Sequence, residues 1–251
     1  MLKNISQILA LVLLLICPNL LYSQENSTEL FQKGNRYYDS SNFKSAIQAY
    51  QQLLNRGIKD ATVYYNLGNA YFRDKQLGKA ILYYRKAQRL SPRDSDIATN
   101  LSYSRLFVLD KIKSSSNFSS AFIDKTLNWG TVNEFTFLTF LFYLGSASLG
   151  IVTFFKREKI IKRGLAVFLA FFLVLILFAT IKISRDSQWQ EAVVTSSAVE
   201  VYSGPAKEFT LQFTGHEGLE LKIEQEKDDW YLAALPNGAK GWLPKASVEK
   251  I

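Results

Sequence analysis

Two asparagines, Asn35 and Asn69, stand 34 residues apart and carry side chains suited to recognising another polypeptide. An asparagine amide offers both a hydrogen-bond donor and an acceptor, and a peptide backbone presents the same two groups in return. The same interval separates Gly34 from Gly68. A fixed period of this length is a sign of repeat architecture. The sequence therefore predicts that the two asparagines occupy equivalent positions in two stacked units.

The chain contains few of the residues that carry out covalent catalysis or bind metals. Its 251 residues include one cysteine, Cys17, and one histidine, His216. Cys17 lies in the first apolar block, and if that block is a cleaved signal peptide the mature chain has no cysteine. A mature chain with no cysteine and one histidine cannot build a Cys–His nucleophile pair or a His-rich zinc site. Among the acids, Glu134 is isolated and the run 226–229 reads as a turn, so we predict no catalytic site, no metal and no cofactor. His216 is predicted to be an exposed loop residue.

Three apolar blocks divide the chain. The first belongs to a predicted signal peptide over residues 1–23, with cleavage after Ser23; a retained anchor is the alternative. Segments 134–155 and 164–183 are each long enough to cross a hydrocarbon layer of roughly 30 Å. The sequence therefore predicts a multidomain membrane protein with a helical hairpin in the membrane.

The loop between these two segments, 156–163, carries five basic residues and one acid. Short basic loops stay in the cytoplasm, so both flanking regions are predicted to lie in the periplasm, at a bacterial inner membrane. Trp129 and Trp189 stand just beyond the outer helix ends, where indole rings favour the interface. Ser146 and Gly150 form a small-xxx-small pair, which predicts a close approach of the two helices.

The first outer region, residues 24–110, contains two units, 27–60 and 61–94, and a predicted capping helix. Apolar residues recur in each unit at helical spacing, and the second unit predicts two packed helices closed by Pro92. This unit resembles the tetratricopeptide repeat. The residues that carry the resemblance are Tyr64, Leu67, Gly68, Tyr71, Ala80, Tyr84, Ala87 and Pro92.

The resemblance implies a concave groove, lined by the first helix of each pair, that binds extended peptides or helices of partner proteins. Tyr65 and Phe72 could instead pack between repeats. The implied groove residues are Asn35, Tyr38, Tyr65, Asn69, Phe72 and Arg73, with Tyr103 from the capping helix.

Charge is unevenly distributed between the two outer regions. Residues 24–128 carry sixteen basic and nine acidic side chains, whereas residues 190–251 carry six basic and ten acidic ones. Acidic protein partners or anionic membrane lipid are therefore expected for the first region, and nucleic acid is not. Because the two regions lie on the same side, they are predicted to dock. Segment 111–133 is serine-rich and is predicted to be a linker.

The second outer region, 190–251, alternates β-forming and polar residues between glycine and proline turns, which predicts a small all-β barrel. Three segments, 199–205, 217–223 and 228–244, resemble the bacterial SH3-like domain. The resemblance implies binding of cell-wall peptides or neighbouring proteins through a surface of Tyr202, Trp230 and Trp242. Tyr202 stands where that family has arginine, and core packing is the alternative for both tryptophans.

The order of the segments, taken as a whole, resembles the BatE family of the aerotolerance operon. That resemblance implies a non-enzymatic scaffold in an envelope complex linked to oxidative stress tolerance. Its expected partners are membrane proteins with von Willebrand A-type domains and a MoxR-type ATPase system. The alternative function is peptidoglycan binding through the SH3-like domain.

Overall fold

The computed structural model describes residues 26–112, 126–127, 129–156, 158–188 and 190–251, with the backbone alone for 185–188. The predicted signal peptide, the interior of the predicted linker (113–125) and Trp189 lie outside the described residues.

The helix boundaries of the repeat region follow the period of the sequence. Asp60 and Asp94 are equivalent residues, and each caps a helix by accepting from a backbone amide two residues on, at 2.8 and 2.9 Å. Ser41 and Lys75 are also equivalent, and both turn the chain with positive φ, 60° and 62°. The five helices are α1 (26–39), α2 (Phe43–Asn55), α3 (Ala61–Arg73), α4 (Leu77–Leu90) and α5 (Ser95–Arg105).

Each helix pair is held together by a tyrosine ring lying against a glycine. A β-carbon added at Gly34 would lie 2.5 Å from the ring of Tyr50, and one at Gly68 would lie 2.7 Å from the ring of Tyr84. Both tyrosines are almost fully buried. The glycines are therefore required by close packing between the helices, which explains why they recur with the period.

Two further helices, α6 (Val132–Phe155) and α7 (Lys159–Gln188), pack against each other and expose apolar side chains outward. Both are long and apolar enough to cross a membrane. Since α7 begins at Lys159, part of the segment 156–163 predicted as a loop is helical.

The close approach between α6 and α7 occurs at a different glycine from the one expected. A β-carbon added at Gly145 would lie 2.5 Å from the ring of Phe168, whereas no described atom lies within 4 Å of one at Gly150. Ser146 is buried. The small-residue contact is therefore made by Gly145 and Ser146.

The C-terminal region forms a seven-stranded antiparallel sheet with the strand order β3-β2-β6-β5-β4-β1-β7. Strands β3 and β7 are the edges, so the sheet is not closed into the predicted barrel. One residue pair, Tyr202 with Trp242, joins β2 to β6. The strands are β1 (Gln190–Val194), β2 (Ala198–Tyr202), β3 (Leu211–His216), β4 (Glu220–Lys227), β5 (Trp230–Ala234), β6 (Lys240–Pro244) and β7 (Val248–Lys250).

The sheet packs on α4 and the end of α5, as the opposite charges of the two regions predict. Strand β1 is buried on both faces, because Ala192 and Val194 enter the core of the sheet while Val193 enters the core of the repeats. Arginines of the repeats meet glutamates of the sheet across this contact. Arg85 pairs with Glu191.

Further polar contacts join the two regions. Arg105 donates two hydrogen bonds to Glu220, at 2.6 and 2.9 Å. The amide of Gly78 donates to Oε1 of Glu217 at 2.9 Å. A bidentate guanidinium–carboxylate pair fixes geometry as well as charge, so the contact has a defined register.

His216, predicted to be an exposed loop residue, ends strand β3 and is half-buried in this contact. Its backbone amide donates to Asp110 Oδ2 at 2.7 Å, and its Nδ1 lies 3.0 Å from the other oxygen of that carboxylate. The prediction failed because the partner is 106 residues away in sequence.

Candidate functional site: the concave groove

The first helix of each repeat presents an asparagine whose oxygen is fixed from inside the protein. In the first repeat, Asn35 Oδ1 accepts hydrogen bonds from the Tyr50 hydroxyl at 2.7 Å and from Asn66 Nδ2 at 3.2 Å. Burial raises the pKa of Tyr50 to about 12, and the charge of Asp39 adds to this effect. The phenol therefore stays protonated near neutral pH and keeps donating to the amide oxygen.

The second repeat reproduces the same arrangement one period later. Asn69 Oδ1 accepts from the Tyr84 hydroxyl at 2.6 Å and from Asn100 Nδ2 at 2.9 Å. Asn100 Nδ2 also donates to the Tyr65 hydroxyl at 2.9 Å. We call the four asparagines the amide row; they are Asn35, Asn66, Asn69 and Asn100.

The amide row has a defined polarity. Each oxygen of Asn35 and Asn69 already accepts two hydrogen bonds, while neither Nδ2 donates one within the described part of the chain. The amides therefore offer donors to the groove and not the donor–acceptor pair that their composition alone suggests. A backbone carbonyl is the matching acceptor.

A cavity of about 240 Å³ lies over the amide row. Its lining is polar apart from the faces of two tyrosine rings. Asp39 is an exposed residue of the lining and forms no ion pair with any described residue. The lining residues are Asn35, Tyr38, Asp39, Tyr50, Asn66 and Asn69.

Beyond Asn69 the groove becomes aromatic. Phe72, Tyr103 and Phe107 form a cluster, with ring centroids 5.2 to 5.8 Å apart. Tyr103 and Phe107 remain 53% and 56% exposed, and Leu106 beside them is 69% exposed. Contiguous exposed apolar patches, unlike single exposed apolar residues, mark contact sites for proteins or membranes.

The remaining predicted groove residues, Tyr65 and Arg73, have intramolecular contacts. The ring of Tyr65 lies 6.0 Å from that of Tyr84 at a tilt, so it packs partly between the helices of its repeat. The Arg73 guanidinium covers the ring of Phe43 at 5.0 Å. Its side chain stays exposed at the groove.

Sequence reasoning missed Asp39 and Asn66 as cavity residues, and Asn100 as the partner of Asn69. The period contained the information for the asparagines, since Asn66 and Asn100 are themselves one repeat apart. The period also pointed to Asp39, because its equivalent in the next repeat is Arg73, which was already a predicted groove residue.

The residues predicted for the C-terminal surface lie together on strands β2, β5 and β6. Tyr202 and Trp230 meet edge to face with centroids 5.9 Å apart, and Tyr202 pairs with Trp242 in the ladder. Tyr202 is buried and its hydroxyl donates to Glu200, whereas both tryptophans are half-buried. The surface is therefore made mainly by the two indole rings.

Within the described ranges, no three histidine, cysteine, aspartate or glutamate side chains converge as a metal site would require. The groove offers amide donors, one carboxylate, one guanidinium and an aromatic cluster. This combination suits non-covalent recognition of a polypeptide.

Comparison with known families agrees with this description of the helical region. Residues 31–95 match the family model of the tetratricopeptide repeat. No curated protein matches the chain. The repeats identify a helical scaffold for protein–protein interaction, followed by two apolar helices compatible with membrane association and by an antiparallel sheet.

Proposed function

We propose that this chain is a membrane-anchored scaffold that holds partner proteins in its concave groove. The observation that carries the proposal is the polarity of the amide row. Asn35 and Asn69 line the cavity, and because their oxygens are held internally, each Nδ2 is the group left to donate. Carbonyls of an extended partner segment would accept these hydrogen bonds, as backbone carbonyls must when they leave water.

The finer parts of the proposal rest on the sequence. The basic segment 156–163 supports a cytoplasmic position for the end of the hairpin. The repeats and the sheet, as an SH3-like domain, would then face the periplasm beside the lipid surface. The order of segments supports a place in a Bat-type envelope complex linked to oxidative stress tolerance. Its partners would be von Willebrand A-domain proteins and a MoxR-type ATPase system.

The groove can be tested with an isosteric change. In a double variant, Asn35→Asp with Asn69→Asp, each Oδ1 can still accept from its tyrosine, while the groove-facing donor becomes an acceptor. The matched control, Asn42→Asp with Asn55→Asp, adds the same charge at exposed positions outside the groove. Both would be compared with the wild type by co-purification from native membranes after gentle solubilisation.

The proposal expects a defined set of proteins to be lost with the groove variant and retained with the control. If the same proteins co-purify with all three chains, the groove is not the docking site. Circular dichroism of the purified variants confirms beforehand that the helical content is unchanged.

The proposed topology has its own test. Single cysteines replace Asn55, Ser203 and Lys162 in a Cys17→Ser background and are labelled in intact cells with a membrane-impermeant maleimide. Labelling of the first two and not the third agrees with the proposal. Labelling of Lys162→Cys alone would show that the orientation is the opposite of the proposed one.

A second candidate function is peptidoglycan binding through the sheet. The half-buried rings of Trp230 and Trp242 favour it, since such rings combine apolar area with a polar N–H group. Sedimentation of the full chain with purified sacculi, compared with Trp230→Leu, tests this function separately from the groove.

A further inference from the structure

The repeat period places a second set of chemically distinct residues across the groove. Asp39, Arg73 and Phe107 follow one another at the repeat interval, so they occupy equivalent positions at the ends of α1 and α3 and just beyond α5. We call these three residues the end row. All three side chains are exposed.

The end row is continuous across the groove. Tyr38 of α1 meets Phe43 with centroids 5.5 Å apart, and Arg73 covers the same Phe43 ring. Phe107 contacts Phe72, which directly precedes Arg73, with centroids 5.7 Å apart. A segment that crosses the amide row from α1 to α5 would therefore pass an acid, a base and an aromatic cluster in that order.

The two charges of the end row are available to a ligand. Within the described ranges neither Asp39 nor Arg73 forms an ion pair, although the repeats make several elsewhere with the sheet. Charged and polar groups across an interface tend to be complementary, and this sets register and excludes wrong partners. A basic ligand residue opposite Asp39 and an acidic one opposite Arg73 would satisfy both.

The spacing of the ligand residues follows from helix geometry. Neighbouring packed helices lie about 8–10 Å apart, and an extended chain covers roughly 3.3 Å per residue. One step from helix to helix therefore corresponds to about three ligand residues. At the third step the ligand meets the exposed ring of Phe107 and the side chain of Leu106.

We propose that the groove selects extended protein segments whose side chains run basic, acidic and apolar at intervals of about three residues. This inference rests on the proposed function, because it requires that the groove binds a polypeptide. It adds a pattern, set by the end row, that candidate partner proteins must contain.

The test is selection from a random peptide library displayed on phage, with the full chain held in lipid nanodiscs. Four chains are compared with the wild type: Asp39→Lys, Arg73→Glu, the groove variant Asn35→Asp with Asn69→Asp, and the control Glu29→Lys. Glu29 is an exposed acid of α1 that does not line the cavity. The wild type and the control are expected to enrich the basic–acidic–apolar order.

Each charge reversal should change one position of the enriched pattern. Asp39→Lys should replace the basic residue with an acidic one and leave the apolar residue unchanged. Arg73→Glu should replace the acidic residue at the middle position with a basic one. For the best wild-type peptide, measured by fluorescence anisotropy, Asp39→Asn should weaken binding about tenfold, which is the lower end of the effect of losing one charged hydrogen-bond partner because Asp39 is exposed. A peptide with norleucine in place of the basic residue should bind both chains alike.

The apolar position has a separate variant. Phe107→Ser should weaken binding of the same peptide, whereas Leu211→Ser, an equally exposed apolar residue on the edge strand β3, should not.

The outcomes distinguish this inference from the proposed function. If the enriched peptides are lost with the groove variant but show no such order, or keep their order in both charge reversals, the inference is wrong and the groove still binds protein. If enrichment is the same with the groove variant, or does not exceed that of empty nanodiscs, the proposed function fails as well.

Discussion

Substitution of Gly78 by alanine should loosen the contact between the repeats and the sheet. Gly78 lies at the start of α4, and a β-carbon there would lie 2.4 Å from the carbonyl oxygen of Val194 and 3.1 Å from Thr195 Cα. Ordinary contacts of this kind are 3.4–4 Å, so the sheet backbone would have to withdraw by about 1 Å. The hydrogen bond from the Gly78 amide to Glu217 would be stretched at the same time.

Two opposing effects set the change in the free energy of opening this contact. Alanine is favoured over glycine in a helix interior by about 1 kcal/mol, and by less near the first turn. Overpacking against atoms that cannot rotate away costs about 1–3 kcal/mol. The clash should therefore prevail at the interface. Subtracting roughly 0.5 kcal/mol for alanine near the first turn leaves a net cost of about 0.5–2.5 kcal/mol. Since tenfold corresponds to about 1.4 kcal/mol, local opening should increase roughly 2- to 60-fold.

Native-state hydrogen exchange of the full chain measures this opening segment by segment. Amides of β1 and of the segment 194–197 should exchange faster in Gly78→Ala, whereas amides within α3 should be little affected. The control is Gly164→Ala, where the nearest atom to an added β-carbon is Leu149 Cδ1 at 3.9 Å. Unchanged or slower exchange of β1 in Gly78→Ala would refute the close contact between Gly78 and the sheet.

Three further perturbations probe the repeats and the sheet. Gly68→Ala should lower the free energy of unfolding of the repeats by up to about 2 kcal/mol in urea titrations. The added carbon meets the buried ring of Tyr84 at a cost of about 1–3 kcal/mol, against about 1 kcal/mol for the helix preference of alanine. Tyr50→Phe should cost about 1 kcal/mol for the lost hydrogen bond. As pH rises from 10.0 towards about 12, stability should fall less in Tyr50→Phe than in the wild type, since only the unfolded phenol of Tyr50 ionises there. Burial also raises the pKa values of Tyr71, Tyr83 and Tyr84, and their effect is the same in both chains. Glu226→Gln should remove two pH dependences of the melting temperature, one acidic and one alkaline. The hydrogen bond to Lys245 lowers the pKa of Glu226 and raises that of Lys245. Their stabilisation should therefore be lost as pH falls below 4.5 and again as it rises above 10.5.

Each of these perturbations has a matched control. Gly150→Ala places a β-carbon where no described atom lies within 4 Å and should leave the repeats unchanged. Tyr37→Phe removes a different phenol, in α1 and outside the amide row, and should cost less stability than Tyr50→Phe. Glu208→Gln removes an exposed carboxylate of the same region. If a control variant lost as much stability as its test variant, the named contact would not be the cause of the loss.

The sequence was sufficient where the contacts are local or periodic. Gly34 and Gly68 could be predicted as packing positions because each faces a tyrosine in the second helix of the same repeat. The amide row follows the same period, so its members were partly identified.

The sequence was insufficient where partners are distant along the chain. His216 was misplaced because Asp110 lies 106 residues away. Gly145 was not distinguished from Gly150, because the register of two apolar helices depends on which rings face each other. The sheet was expected to close, but alternation of side chains specifies strands and faces and does not specify whether the first and last strands meet.

The contact between the repeats and the sheet has a consequence for how the chain is made. Arg85 and Glu191 are 106 residues apart, and both apolar helices lie between them. Synthesis proceeds from the N-terminus, so the repeats emerge long before their partner surface does. Ile81 and Val108 are both buried near Gly218 in the folded protein. They remain exposed during synthesis until the hairpin has inserted and the ribosome has released the last strands. A ribosome that stalls within the hairpin would leave this apolar surface open, and such a chain can be recognised as unfinished and removed.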